Sequence, residues 1–350
     1  MKNKIFITII IVLLLIIVGC NTTLGTKEVD MGNTADLVLT ISDYFPFKEN
    51  LIYEYEGIGN EFAEQKIYFE FIEDNKAQLK IINPATNVVK VIEQGDDFIR
   101  EIYYEGEFYH IENLLNTKGQ QDNVLLKEPL VLGNSWTTAD GYKRSITALD
   151  KEITTPMDSY KALEVTTDFG EARSQKHYYV ADIGMVASIY EDDSGRVETL
   201  LKSMTNLPLK HNIELYYPSN SDIKTVYTTS TIDFYTNQSI EKLLEDLMKN
   251  PPSSDLMPVI PSSAVINSIK LDRTNWSVRV DFSIELLTDM NAGTSLETEI
   301  LKSIVNTLGR FYDVENVYIS VDGKPYESGH YGLVDDEFFR VDVDALEIYR

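Results

Sequence analysis

Proton transfer and metal binding near neutral pH fall first to histidine, and this chain of 350 residues has four: His110, His177, His211 and His330. They are dispersed, with no H-E-x-x-H or comparable spacing, and a single cysteine excludes both an intramolecular disulfide and a Cys-rich zinc site. Acyl transfer would need an activated serine. No G-x-S-x-G elbow occurs, and S-x-x-K, at Ser221 to Lys224 and Ser239 to Lys242, lacks the S-D-N and K-T-G partners that make it a site. A loop turn and a helix cap explain those serines. Close carboxylates such as Asp192-Asp193 and Asp335-Asp336-Glu337 are inevitable among 56 acidic residues, so adjacency does not make them a general acid and base. Neither G-x-G-x-x-G nor G-x-x-x-x-G-K-[ST] is present. The sequence therefore predicts no catalytic residue, no resident metal and no cofactor.

Binding chemistry is concentrated in the segment 322–336, which brings three glycines, an imidazole, two tyrosines and several carboxylates into one loop. Asp322, Gly323, Ser328, Gly329, His330 and Tyr331 form a candidate edge for hydrogen-bonding a glycan, a peptide stem or a protein partner. The competing reading is that Gly329 and His330 only organise a long loop, with His330 bonded to a backbone carbonyl or to Asp335. The carboxylates do not have the spacing of an EF-hand loop. Tyrosine is abundant, with 21 residues, and Tyr53, Tyr55, Tyr103, Tyr109, Tyr178 and Tyr190 alternate along strand-like segments. Core packing is the expected role, although a curved sheet lined by such rings could also hold a lipid or glycan.

The start of the chain addresses the molecule to a membrane. Lys2 and Lys4 precede a run from Ile5 to Val18 that is apolar except for Thr8 and is short for a ~30 Å bilayer core. It ends in Ile17-Val18-Gly19-Cys20, which resembles the lipobox of bacterial lipoproteins. Residues 1–19 are thus expected to be a signal peptide. Cys20 becomes the diacylglyceryl-bearing N-terminus, with palmitate-like acyl chains in the outer face of the cell membrane, and 20–40 forms a polar tether. Lys and Arg number 31 against 56 Asp and Glu, a net charge of −25. Such a body is repelled by nucleic acid and by anionic lipid, so lipid chains must hold it at the membrane. The expected location is extracytoplasmic and lipid-anchored.

Elements follow from periodicity. From Leu51 to about Ser203, short bursts of period two separated by turn residues predict antiparallel strands with one wet face, and therefore an all-β domain over 41–205, arranged as a meander, a sandwich or a half-barrel. Met204 to Pro208 breaks the pattern, and 210–350 reads as an α+β domain with helices on one sheet face. Within it, Ser239 caps a helix through Met248. Thr294 to Glu297 reads as a capping box for a second helix, striped by Leu296, Ile300, Ile304 and Leu308 and stopped by Gly309. Asp272 to Asn275 turns a hairpin, and Phe339 to Leu346 alternates as a last strand.

Several motifs in this second half carry a family resemblance: Ile213 to Pro218, Ile260 to Ile266, Val278 to Ser283, Leu301 to Leu308, Val321-Asp322-Gly323 and Ser328 to Tyr331. In order and spacing they resemble the GerMN domain of sporulation and spore germination proteins and of lipoproteins of Gram-positive bacteria. The resemblance covers about 210–340, in a single copy where GerM itself carries two. It implies a compact α+β module of the ring-building type working at the cell envelope, with no catalytic residues to carry over. Leu132 to Trp136 and Lys161 to Val165 are similar to a strand-rich segment that precedes single GerMN domains in clostridial lipoproteins. Together these imply a non-catalytic envelope lipoprotein, a scaffold or interaction module for a protein partner or a second copy, linked to sporulation or germination. The alternative is a binding module for a cell-wall component or lipid.

Overall fold

Alternation between Leu51 and Asn206 produces strands that pair with their sequence neighbours. The computed structural model describes residues 39–344 and 346–349, so the signal segment, Cys20 and nearly all of the tether lie outside the described residues. Twelve strands form one antiparallel sheet: β1 (Leu51–Ile58), β2 (Gln65–Glu73), β3 (Lys76–Ile82), β4 (Asn87–Gln94), β5 (Phe98–Gly106), β6 (Asn123–Lys127), β7 (Ser135–Thr137), β8 (Lys143–Thr154), β9 (Ser159–Gly170), β10 (Arg173–Val180), β11 (Gly184–Asp192) and β12 (Gly195–Asn206). The strand order is β6-β5-β4-β3-β2-β1-β12-β11-β10-β9-β8-β7, so β6 and β7, consecutive in the chain, are its two edges. Register slips at Glu54/Tyr55, Phe69/Phe71, Val91/Ile92 and Tyr178/Tyr179 are bulges that bend the sheet and increase its twist. The result is a nearly closed barrel. Across the remaining seam side chains replace the ladder. Trp136 Nε1 and Arg144 Nη1 both donate to the Val124 carbonyl, at 2.9 and 2.6 Å, and Asn134 Nδ2 donates to that of Lys127 at 2.9 Å.

The expected wet face is present in β8 but not in β2 to β5, where runs such as Tyr68 to Phe71 are buried without a break. Tyr68, Phe71, Val89, Val91, Ile102 and Tyr103 point away from the barrel interior into a core shared with Leu209, Phe234, Ile240 and Leu244. Both faces of these strands are therefore covered. The break near Pro208 is where the chain leaves the large sheet, and the hydrophobic core continues across it.

Beyond Pro208 come β13 (Leu209–Pro218), β14 (Thr225–Phe234), α1 (Ile240–Lys249), β15 (Ile266–Asp272), β16 (Ser277–Phe282), α2 (Glu285–Thr288), α3 (Thr294–Tyr312), β17 (Asn316–Val321), β18 (Lys324–Pro325), β19 (Phe339–Arg340) and β20 (Glu347–Ile348). They build two sheets, β13-β14-β20 and β15-β16-β17-β18, with β19 on β17. Helices on one face of one sheet would be the wrong description. The long helix α3 packs on β13 and β14 of the first sheet and on β16 and β17 of the second. Its buried residues accordingly run round the helix, from Ile300 through Val305, Asn306 and Thr307 to Phe311, rather than along one stripe.

Three local readings need correction for the same reason, a partner distant in sequence. Gly293, not Thr294, is the N-cap of α3, and the Glu297 side chain turns inward instead of closing a capping box. Gly309 does not stop the helix, which continues to Tyr312 and ends at Asp313 in a left-handed conformation (φ 53°). Glycine is required at 309 because a Cβ there would overlap Val341. Val341 lies in a strap over α3: Asn306 accepts from the Asp342 amide at 2.9 Å and donates to its carbonyl at 2.7 Å. The strap interrupts the strand expected over Phe339 to Leu346: among its described residues only β19 (Phe339–Arg340) remains, and β20 follows beyond it.

Candidate functional site

The loop after β17 starts with a hairpin turn in which Asp322 (φ 47°) and Gly323 (φ 74°) both adopt positive φ, as a two-residue primed turn requires. The Asp281 carboxylate holds this turn, accepting from the Gly323 amide at 2.8 Å and from Ser320 Oγ at 2.6 Å. Further on, Ser328 Oγ accepts from the amides of His330 and Tyr331, each at 3.1 Å, and the Tyr331 hydroxyl is 2.7 Å from Thr298 Oγ1 on α3.

Among the described residues, the His330 ring bonds neither a carbonyl nor Asp335. Its Nδ1 lies 2.5 Å from Glu297 Oε2, and the Tyr326 hydroxyl donates to Glu297 Oε1 at 2.8 Å. Glu297 is only 3% exposed, whereas the His330 side chain keeps 38% of its surface in solvent. Burial opposes ionisation of Glu297, but hydrogen bonds from Ser328, His330 and Tyr326 outweigh it and hold the carboxyl below its ordinary range. Beside this group lies a cavity of about 390 Å³, walled by Ser328, Gly329 and His330 on one side and by Leu287, Thr288 and 290–293 on the other. Asp322, Gly323 and Tyr331 do not line it. The loop residues picked out by the sequence thus divide into a turn (Asp322, Gly323), an anchor (Tyr331) and a rim (Ser328, Gly329, His330). Glu297 and Tyr326, which hold the rim, gave no separate signal, because the Thr294 to Glu297 pattern had a local explanation.

A depressed carboxyl stabilises the folded loop above its unfolded pKa, and that contribution disappears as pH falls through the folded value. The melting-temperature advantage of the wild type over Glu297→Gln should therefore be present at neutral pH and shrink below the ordinary value of 4.5. A gap independent of pH would show that the Glu297 charge does not hold the loop.

The inside of the barrel is a second concave site, a cavity of about 340 Å³. Strict alternation supplies its walls: Tyr53 and Tyr55 from β1, Gln65, Ile67 and Phe69 from β2, and Gln175, His177 and Tyr179 from β10. Lys90 and Glu101 meet in its wall at 2.7 Å. The two S-x-x-K serines are engaged elsewhere. Ser239 Oγ caps α1 through the Lys242 amide at 3.2 Å, and Ser221 bonds Ser219. Among the described residues, no group of three or more His, Cys, Asp or Glu side chains is placed to hold a metal ion, and no helix is long and apolar enough to cross a membrane.

No curated protein matches the chain. Residues 214–327 match the family model described as Germane, sporulation and spore germination. Among solved structures, the tandem GerMN domains of the sporulation protein GerM from Bacillus subtilis are 20% identical over 37% of this chain and 46% of that one, with a TM-score of 0.30, so the chain spans less than half of that relative. The first GerMN domain of the same protein alone is 20% identical over 35% of this chain and 91% of its own length, with a TM-score of 0.27. A provisionally assigned lipoprotein from Clostridium perfringens is 17% identical over 37% of this chain and 87% of its own, with a TM-score of 0.25. The matched span 214–327 holds Glu297 and Tyr326, and over it the chain is similar to the sporulation and spore germination family.

Proposed function

We propose that the protein is a non-catalytic lipoprotein of the cell envelope, anchored through acylated Cys20, whose GerMN-like domain offers the rim of the 322–336 loop to a protein partner. The observation that supports this reading is the buried Glu297 carboxylate, which fixes an exposed histidine and its neighbours from beneath. A loop ordered before contact loses less entropy on binding than a mobile one. The partner is an envelope protein or a second copy of the chain, in a setting of sporulation or germination.

Two arms of one experiment test it. In cells, Cys20→Ala should remain unacylated and leave the membrane, since no thioether forms without sulfur. A cleaved, unacylated form that stays membrane-bound would refute the anchor. In solution, the chain from Asn21 onward should capture a defined envelope protein or dimerise by light scattering, and His330→Ala should weaken that contact. Undiminished capture by the variant, or a strict monomer that retains no protein, would refute the interaction surface.

A further inference from the structure

We propose that the interior of the barrel is a binding site for an uncharged amphiphile, an aliphatic body carrying a hydroxyl- or ester-bearing head. Its volume of about 340 Å³ falls within the ~300–1,000 Å³ usual for ligand cavities and far exceeds what one trapped water needs. The walls are chiefly apolar: Ile67, Phe69, Leu79, Ile81, Ile92 and Met185 face it together with the rings of Tyr53, Tyr55 and Tyr179.

Among the polar groups of those walls that lack partners among the described residues are the Tyr53 hydroxyl and the His177 imidazole. The Tyr53 hydroxyl is buried with no hydrogen bond, in contrast to its neighbour Tyr55, whose hydroxyl donates to the Met185 carbonyl at 2.8 Å. His177 makes no hydrogen bond with any described residue. It stacks on Tyr179 at 6.2 Å, and it stays partly accessible although it is an inward-facing residue of a barrel strand. The accessible surface of His177 is cavity wall. An unmade hydrogen bond in such surroundings is costly, and a guest that both donates and accepts, as an alcohol does, relieves it.

Charge decides the rest. Lys90 and Glu101 are the only formally charged residues among the lining, and they neutralise each other. Burial, reinforced by the Arg144 and Lys90 charges, pushes the His177 imidazole down to about 3, so it remains neutral. Arg144, the other cation that acts on His177, does not line the cavity and is tied to Thr167, Asn123 and the Val124 carbonyl, so a bound carboxylate would meet the Glu101 charge with no cation of the lining free to pair with it, and a bound ammonium would meet Lys90.

The test is calorimetric titration of the chain lacking residues 1–20, which keeps the whole compact unit Leu39–Arg350. The probes are 1-decanoylglycerol, decanoate, decyltrimethylammonium and N-acetylglucosamine, each below its aggregation concentration. The monoglyceride should bind one to one, and the charged and sugar probes at least about tenfold more weakly. Tyr53→Phe and His177→Phe should each weaken the monoglyceride by roughly three- to tenfold, the effect of losing one hydrogen bond. Because neither loses a protein partner, both should melt no lower than wild type. Ile92→Trp should fill the cavity and abolish binding in a protein that still melts cooperatively. Equal binding of decanoate, preference for the sugar, no binding of any probe, or full affinity in Ile92→Trp would each overturn the proposal.

Discussion

Lys80→Met should remove about 3–5 kcal/mol of stability, a large part of the ~5–15 kcal/mol typical of a folded domain. Lys80 and Glu70 are 1% and 0% exposed, on the face of the large sheet turned toward the C-terminal half, with Nζ and Oε1 3.1 Å apart. The ammonium also donates to the His110 carbonyl at 2.5 Å and lies 5.0 Å from the centre of the Phe108 ring. Gln78 donates to the other carboxylate oxygen of Glu70 at 2.8 Å. Removing the cation leaves a carboxylate in the core without a counter-charge, and that residual charge, rather than the lost attraction, dominates the cost. The double variant Glu70→Leu/Lys80→Met should therefore recover most of the loss. Urea denaturation reads both, and a loss below about 1 kcal/mol for Lys80→Met would show that Glu70 does not carry its charge in the fold.

Cutting the chain between Asn206 and Leu209 should leave two fragments that do not melt cooperatively apart but regain a joint transition when mixed. The first fragment would expose Tyr68, Val89, Val91, Ile102 and Tyr103, together with Phe108, Ile111, Leu114 and Leu115 from the connection between β5 and β6. At about 1.5–3 kcal/mol for each large apolar side chain returned to water, this exceeds the whole stability of a typical domain. Polar ties break as well. Arg273 grips Glu112 with two hydrogen bonds, at 3.1 and 2.7 Å, and Thr236 exchanges hydrogen bonds with Asn50, both at 2.9 Å. A cooperative melt of 210–350 alone would show that the GerMN-like part owns a sufficient core.

Much of this architecture was legible because strand period and turn chemistry are local. Asp272 to Asn275 declared its hairpin, Ser239 its helix, and Tyr53 and Tyr55 their common face. What was not legible is decided by residues far apart in sequence. Ile67 to Phe71 reads as a strand with one wet face but does not say what covers each side, and part of the answer lies in Phe234 and Ile240. Glu297 fits a capping box until Tyr326 and His330 take its oxygens, and Gly309 reads as a stop until Val341 arrives. The cavity was foreseeable as an aromatic-lined sheet. His177, one of four dispersed histidines, could be assigned to it only once β10 was known to close the far side.

The clasp between β6 and β7 gives the barrel a mechanical grain. Everywhere else, parting two strands means breaking a ladder of backbone pairs, whereas along this line Asn134, Trp136 and Arg144 fasten one edge to the other. Thermal breathing concentrates where the fewest bonds must yield together, so the wall parts first along this line, without unravelling the strands on either side. A curled sheet fastened in this way works as a hinged cuff: its stiffness resides in the meander and its compliance in a few side chains.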